Sequence, residues 1–184
     1  MKILGFDISS STIGWSILSF EKDDKKIDLI DYGFIKPPAK ETGGLSYRLY
    51  ETTTLISALL SDKNPDIIIV EDYARKYQAG KSSANIITLL TAFNETVCLS
   101  SYSYNKAEPI RIPVTSIRSL LGQHVGEKTV SKDDVFSIIE SNFGKNQTLN
   151  FVPTKNKKNN TKKEFFDISD SIAVALAYIK RDLI

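Results

Sequence analysis

The chain has 184 residues, 41% hydrophobic and 25% charged, which fits one globular domain (1–184) able to bury a core without staples. A lone cysteine (Cys98) and a lone histidine (His124) exclude a disulfide framework and a structural zinc site built from those ligands, so any metal chemistry must rest on carboxylate oxygens. Net charge is only +2, yet residues 1–72 carry −4 and residues 73–184 carry +6, compatible either with an acidic pocket beside a basic surface or with ordinary solvated faces.

Residues 3–8 (ILGFDI), 13–20 (IGWSILSF) and 27–35 (IDLIDYGFI) are short runs rich in Ile, Phe, Tyr and Trp, joined by short polar links. They predict three sequential strands paired as an antiparallel meander. Leu45, Leu49, Thr52, Leu55, Ile56, Leu59 and Leu60 recur at helical spacing, and Asn64-Pro65 stops that helix. The block Ile67–Val70 has no alternation, which predicts a strand buried on both faces and parallel to an earlier one.

Residues 72–81 read as a loop; Ser82 or Ser83 caps a helix to about Leu99. Residues 109–114 form a fifth short strand, Ser116–Leu121 a helix and Gly122–Gly126 a loop. Ser131-x-x-Asp134 is a capping-box-like start to a helix ending near Asn142. Residues 154–163 (TKNKKNNTKK) hold five lysines and no acid, a Lys/Asn-rich low-complexity loop. A last helix covers about 166–182.

Four acids stand out by position. Asp7 and Glu71 end strands that, if parallel neighbours, emerge at the same sheet edge, where ligands bind in such sheets. Asp167 and Asp170 stand three apart at the start of the last helix, on one face. Taken singly, each has a plainer reading as a turn residue, loop start or helix cap. Together they would repel one another unless protonated or bridged by divalent cations, and oxygen donors without a thiol or imidazole pair suit Mg²⁺ or Mn²⁺.

Ile3-Leu4-Gly5-Phe6-Asp7-Ile8-Ser9 followed by Gly14-Trp15-Ser16-Ile17 resembles the first hairpin of RuvC-type Holliday junction resolvases in the RNase H-like superfamily. Ile67–Glu71 resembles that family's second acidic strand, and Asp167–Ala175 its terminal helix. The resemblance implies an α/β fold with a mixed five-stranded sheet, antiparallel meander plus parallel strands, flanked by helices. It implies a crossover junction endodeoxyribonuclease in which Asp7, Glu71, Asp167 and Asp170 bind two Mg²⁺ ions, with Mn²⁺ as a substitute. Lys132 joins the catalytic set, and Arg118, Lys128 and Lys132 hold DNA in a segment where the family has functional lysines; Arg118 departs from lysine.

The family's junction-inserting aromatic falls here on Ala74, flanked by Tyr73 and Tyr77; these tyrosines, with Arg75, Lys76 and Lys81, are the remaining DNA-binding candidates. The helix near 83–99 corresponds to one used for dimerisation, so the implied partners are branched DNA and a second copy, making paired symmetric nicks. The products would carry a 5′-phosphate and a 3′-hydroxyl. No membrane span or signal peptide is read in the sequence, so the expected compartment is the cytoplasm of a bacterial or phage-infected cell. Alternatives are a broader flap or debranching nuclease, a ribonuclease H, a non-catalytic nucleic-acid-binding module, and an actin- or sugar-kinase-like ATPase fragment.

Overall fold

Alternation along the strands decides which side of the sheet each residue joins, and hence where the acids emerge. The computed structural model describes residues 1–72, 84–145 and 147–184. The three predicted N-terminal strands are present as β1 (Lys2–Ile8), β2 (Ile13–Glu21) and β3 (Lys26–Ile35), paired antiparallel in sequence. The unalternating block is β4 (Ile67–Asp72), parallel to β1, and β5 (Ile110–Pro113) is parallel to β4. The sheet order is β3-β2-β1-β4-β5.

Among the described residues, five helices cover the two faces. α1 (Leu45–Lys63) and α2 (Ala84–Asn105) lie on one face, over Leu4, Phe6, Ile68 and Val70. On the other, α3 (Val114–His124), α4 (Lys132–Phe143) and α5 (Glu164–Tyr178) enclose Ile3, Ile69 and Ile112. Asp7 shares its face with Ile3, and Glu71 with Ile69, so both acids point toward the α5 side. α1 ends at Asn64, which takes a left-handed conformation (φ 49°) ahead of Pro65. α4 opens on the predicted capping box of Ser131 and Asp134.

Two helices run longer than the sequence reading. α2 runs six residues past Leu99 through a serine-rich stretch, because the Ser100 and Ser101 hydroxyls donate to the carbonyls of Thr96 and Val97 and remain satisfied inside the helix. α3 extends from Val114 to His124, so Gly122 lies in helix rather than loop, where the Thr129 backbone packs too close for a Cβ. The Lys/Asn-rich stretch forms a hairpin: Lys155 bridges antiparallel to Thr161, and Asn156 exchanges backbone and side-chain hydrogen bonds with Lys158, Asn159 and Asn160. The last helix begins at Glu164 and gives way at Ile179–Leu183 to a π-helical turn.

α5 lies directly on the sheet. A Cβ at Gly5 would land on the Ser171 carbonyl oxygen, and one at Gly14 on that of Asp167. These two glycines let the start of α5 descend onto β1 and β2 beside Asp7. The substitution Gly14→Ala therefore lifts the N-terminal turn of α5 and destabilises the fold by about 1–3 kcal/mol, a loss read as a lower midpoint in chemical denaturation; an unchanged midpoint would mean that the helix has slack there.

Candidate active site

The C-terminal edge of the sheet opens into a small cleft of about 90 Å³ lined by Asp7, Glu71, Arg118, Lys132, Asp170 and a floor of Val114, Ile117, Val135 and Ala173. It has room for a few waters or small ions, not for a nucleobase. Five elements supply it. β1 and β4 bring Asp7 and Glu71, α3 brings Arg118, the first position of α4 brings Lys132, and α5 brings Asp170 one turn beyond Asp167. Asp167 is buried beside the cleft, and its Oδ2 has no hydrogen-bond partner.

The electrostatics are those of crowded like charges in a low dielectric. Burial, then the charges of Glu71, Asp170 and Asp167, raise the Asp7 pKa well above the ordinary carboxylate range. Burial and Asp170 push Glu71 up to about 7, although Lys132 and Arg118 pull the other way. Asp170 and Asp167 are raised too, chiefly by burial. Lys132 is the counter-charge: its Nζ lies 3.3 Å from Asp170 Oδ2. Burial lowers its pKa, but the Asp170 charge and hydrogen bond outweigh this and hold it above the ordinary lysine value.

Asp7 thus lies within electrostatic reach of Glu71, Asp167 and Asp170, Lys132 acts on all four acids, and Arg118 on Glu71 and Asp170. Lys128 stands exposed in the α3–α4 connection and does not line the cleft. Tyr73, Arg75, Lys76, Tyr77 and Lys81, and the Ser82/Ser83 cap, lie outside the described residues. As the side chains stand, no three carboxylate, thiol or imidazole groups among the described residues converge to hold a metal ion. The donor set nonetheless fits a divalent cation. It is all oxygen, the buried Asp167 Oδ2 lacks a partner, and burial penalises negative charge that a cation would neutralise.

No family model matches the chain. A curated relative, the crossover junction endodeoxyribonuclease RuvC of Ehrlichia chaffeensis, is 32% identical over 195 aligned positions, spanning 98% of this chain and 99% of the relative. The chain belongs to the RuvC family. The fold agrees: Thermus thermophilus RuvC in complex with a Holliday junction substrate superposes with a TM-score of 0.69 at 13% identity, covering 98% of this chain and 94% of that one. The yeast mitochondrial Holliday junction resolvase Ydc2 gives 0.66 at 17% identity, covering 97% and 77%. The sheet of β1–β5 with its flanking helices is the RNase H-like arrangement of these resolvases. Membership in the RuvC family leaves the ATPase-fragment reading without support.

Two residues that position the site were not foreseen. Arg48 of α1 is buried, donates to the carbonyls of Ser10 and Pro38, and lies 4.9 Å from the Phe93 ring, fixing the β1–β2 turn that follows Asp7. Asn94 of α2 is buried and donates to the main-chain carbonyl of Glu71 at 3.0 Å, while its Oδ1 accepts from Arg111. An arginine on the otherwise uncharged inner face of α1 was the available signal for the first. The second carried none.

Carboxyls whose pKa is higher in the folded than in the unfolded chain stabilise the fold below the unfolded value and lose that contribution as pH rises through the folded value. The metal-free protein should therefore melt at a higher temperature near pH 5 than near pH 8, with the loss centred where Glu71 titrates, about 7. The Asp7→Asn variant removes a carboxyl whose ionisation is opposed by burial and by its neighbours, and should raise the pH 8 melting temperature by about 2–4 °C, the equivalent of about 1 kcal/mol. A variant that melts at or below the parent would show that the buried carboxylates are not in conflict.

Proposed function

We infer that this protein is a metal-dependent, structure-selective endonuclease that resolves four-way DNA junctions. The observation that carries the reading is the cleft lined by Asp7, Glu71, Asp170 and Lys132 at one sheet edge, with Asp167 buried one turn before Asp170, in a chain of the RuvC family. The reaction is phosphodiester hydrolysis: a water oxygen bonds to phosphorus, the bond from phosphorus to the 3′ oxygen breaks, and that oxygen takes up a proton. The products are a 5′-phosphate and a 3′-hydroxyl.

The four carboxylates would hold two Mg²⁺ ions, which when bound supply water activation and stabilisation of the leaving oxygen. The protein's own part is positional. β1 and β4 fix Asp7 and Glu71 through parallel pairing, and α5 sets Asp167 and Asp170 against them. Lys132, half-exposed at the cleft, is placed to move from Asp170 to a non-bridging phosphate oxygen, where its charge offsets that of the transition state. Arg118 supplies a second positive charge lining the cleft.

The substrate assigned to the enzyme is branched DNA, and the working unit a homodimer acting in the cytoplasm. α2 supports the dimer. Its stripe of Phe93 and Val97 is buried on the sheet, but the same stripe continues into Ile86, Leu89 and Leu90, which are exposed or half-exposed, and its 22 residues hold one charge, Glu95. Two-fold pairing of two cleavage sites matches two symmetric strands of a junction.

A synthetic junction incubated with Mg²⁺ should be cut into two nicked duplexes. Asp7→Asn or Asp170→Asn should abolish the cut while junction binding persists, and Lys132→Ala should slow the chemical step about 10²-fold. Cleavage by Asp7→Asn at the parental rate would remove the assignment. Separately, Leu90→Asp should shift the protein to a monomer in sedimentation velocity; a variant that remains dimeric would place the interface elsewhere.

A further inference from the structure

The β3 side of the cleft carries a surface that the chemistry at the carboxylates does not use. β3 runs parallel to β1, so its C-terminal end, Phe34 to Ile35, reaches the same sheet edge as Asp7. Phe34 pairs with Gly14, and Gly14 with Asp7, which sets the three in one cross-strand row. Phe34, on the edge strand, is 41% exposed.

The segment after α4 follows the outer edge of β3 toward that point. The Leu149 amide donates to the Leu29 carbonyl, and the Tyr32 hydroxyl joins Asn150 and Val152. The chain then leaves as the 154–163 hairpin and returns at Glu164, whose carboxylate meets Lys36 Nζ at 2.7 Å. Phe34 thus sits between the two anchor points of the hairpin, and Lys36 Nζ lies 5.3 Å from its ring. The hairpin itself carries Lys155, Lys157, Lys158, Lys162 and Lys163, all exposed, and no acid.

The hairpin sets five exposed lysines and no acid in ten residues on the β3 side of the cleft, a charge complementary to a polyanion. We propose that the 154–163 hairpin, with Phe34 and Lys36 at its base, is a docking surface for the phosphodiester backbone of one duplex arm of the substrate. This rests on the reading of the protein as a DNA junction endonuclease. The lysines meet phosphates, an interaction without sequence information that makes affinity depend on salt. The Phe34 ring adds an apolar surface against the sugar face between hairpin and cleft.

The test is binding of a synthetic four-way DNA junction, without divalent metal, between about 50 and about 200 mM salt. Lys155, Lys157 and Lys158 changed together to Gln should flatten the slope of log affinity against log salt by up to about 2.7, or about 0.9 for each phosphate no longer neutralised. Over that fourfold range of salt, this removes about 40-fold of the parent's loss of affinity. The melting temperature should stay at the parental value, because the three lysines are exposed and take no part in the core. Phe34→Ala should weaken binding at every salt concentration with the slope unchanged. Parental affinity and slope in the triple variant would overturn the proposal while leaving the cleavage assignment intact. A parent protein that neither bound nor cut the junction would overturn both.

Discussion

The descent of α5 onto β1 and β2 governs this structure. The helix supplies two acids from the C-terminal end of the chain, and the strands supply Asp7 from the N-terminal end. They meet only because positions 5 and 14 lack a Cβ and the helix backbone occupies that space, with the Ser171 and Asp167 carbonyls against the sheet. The apolar stripe of α5, from Ile168 through Ala173 to Ile179, seals the interface in the larger of the two cores. Stability and chemistry therefore rest on one surface.

That closeness sets up an opposition between folding and function. Burial gathers carboxylates where their charge is least tolerated, and it raises the pKa of all four. Lys132 and Arg118 offset part of the repulsion but leave Glu71 near neutrality in its titration and one oxygen of Asp167 unpartnered. A site so arranged is short of positive charge, the condition under which oxygen ligands favour a divalent ion over a proton.

Much of this was legible in the sequence because it rests on short-range pattern. Short runs rich in Ile, Phe, Tyr and Trp with tight polar links placed the meander, an unalternating block gave the buried β4, and acids at strand ends and three apart on a helix marked the cleft. The capping box at Ser131 was local as well, and it fixed where Lys132 starts its helix. What escaped the reading depends on partners far along the chain. The length of α2 and the helical setting of Gly122 follow from hydrogen bonds and packing with no signature in composition. The lysine- and asparagine-rich stretch is the loop its composition predicts, but composition does not reveal that the Asn156 side chain closes it into a hairpin. Arg48 and Asn94 grip main-chain carbonyls 38 and 23 residues away in sequence, and no residue type at the receiving end reveals such a bond.

The Asn94 amide has a mechanical meaning. It is a hydrogen-bonded link from the outer helix to the peptide that carries carboxylate 71, and its oxygen accepts from Arg111, which pairs with Glu95 on the same helix. One side chain thus joins α2 to β4 at the strand end that delivers a carboxylate to the cleft.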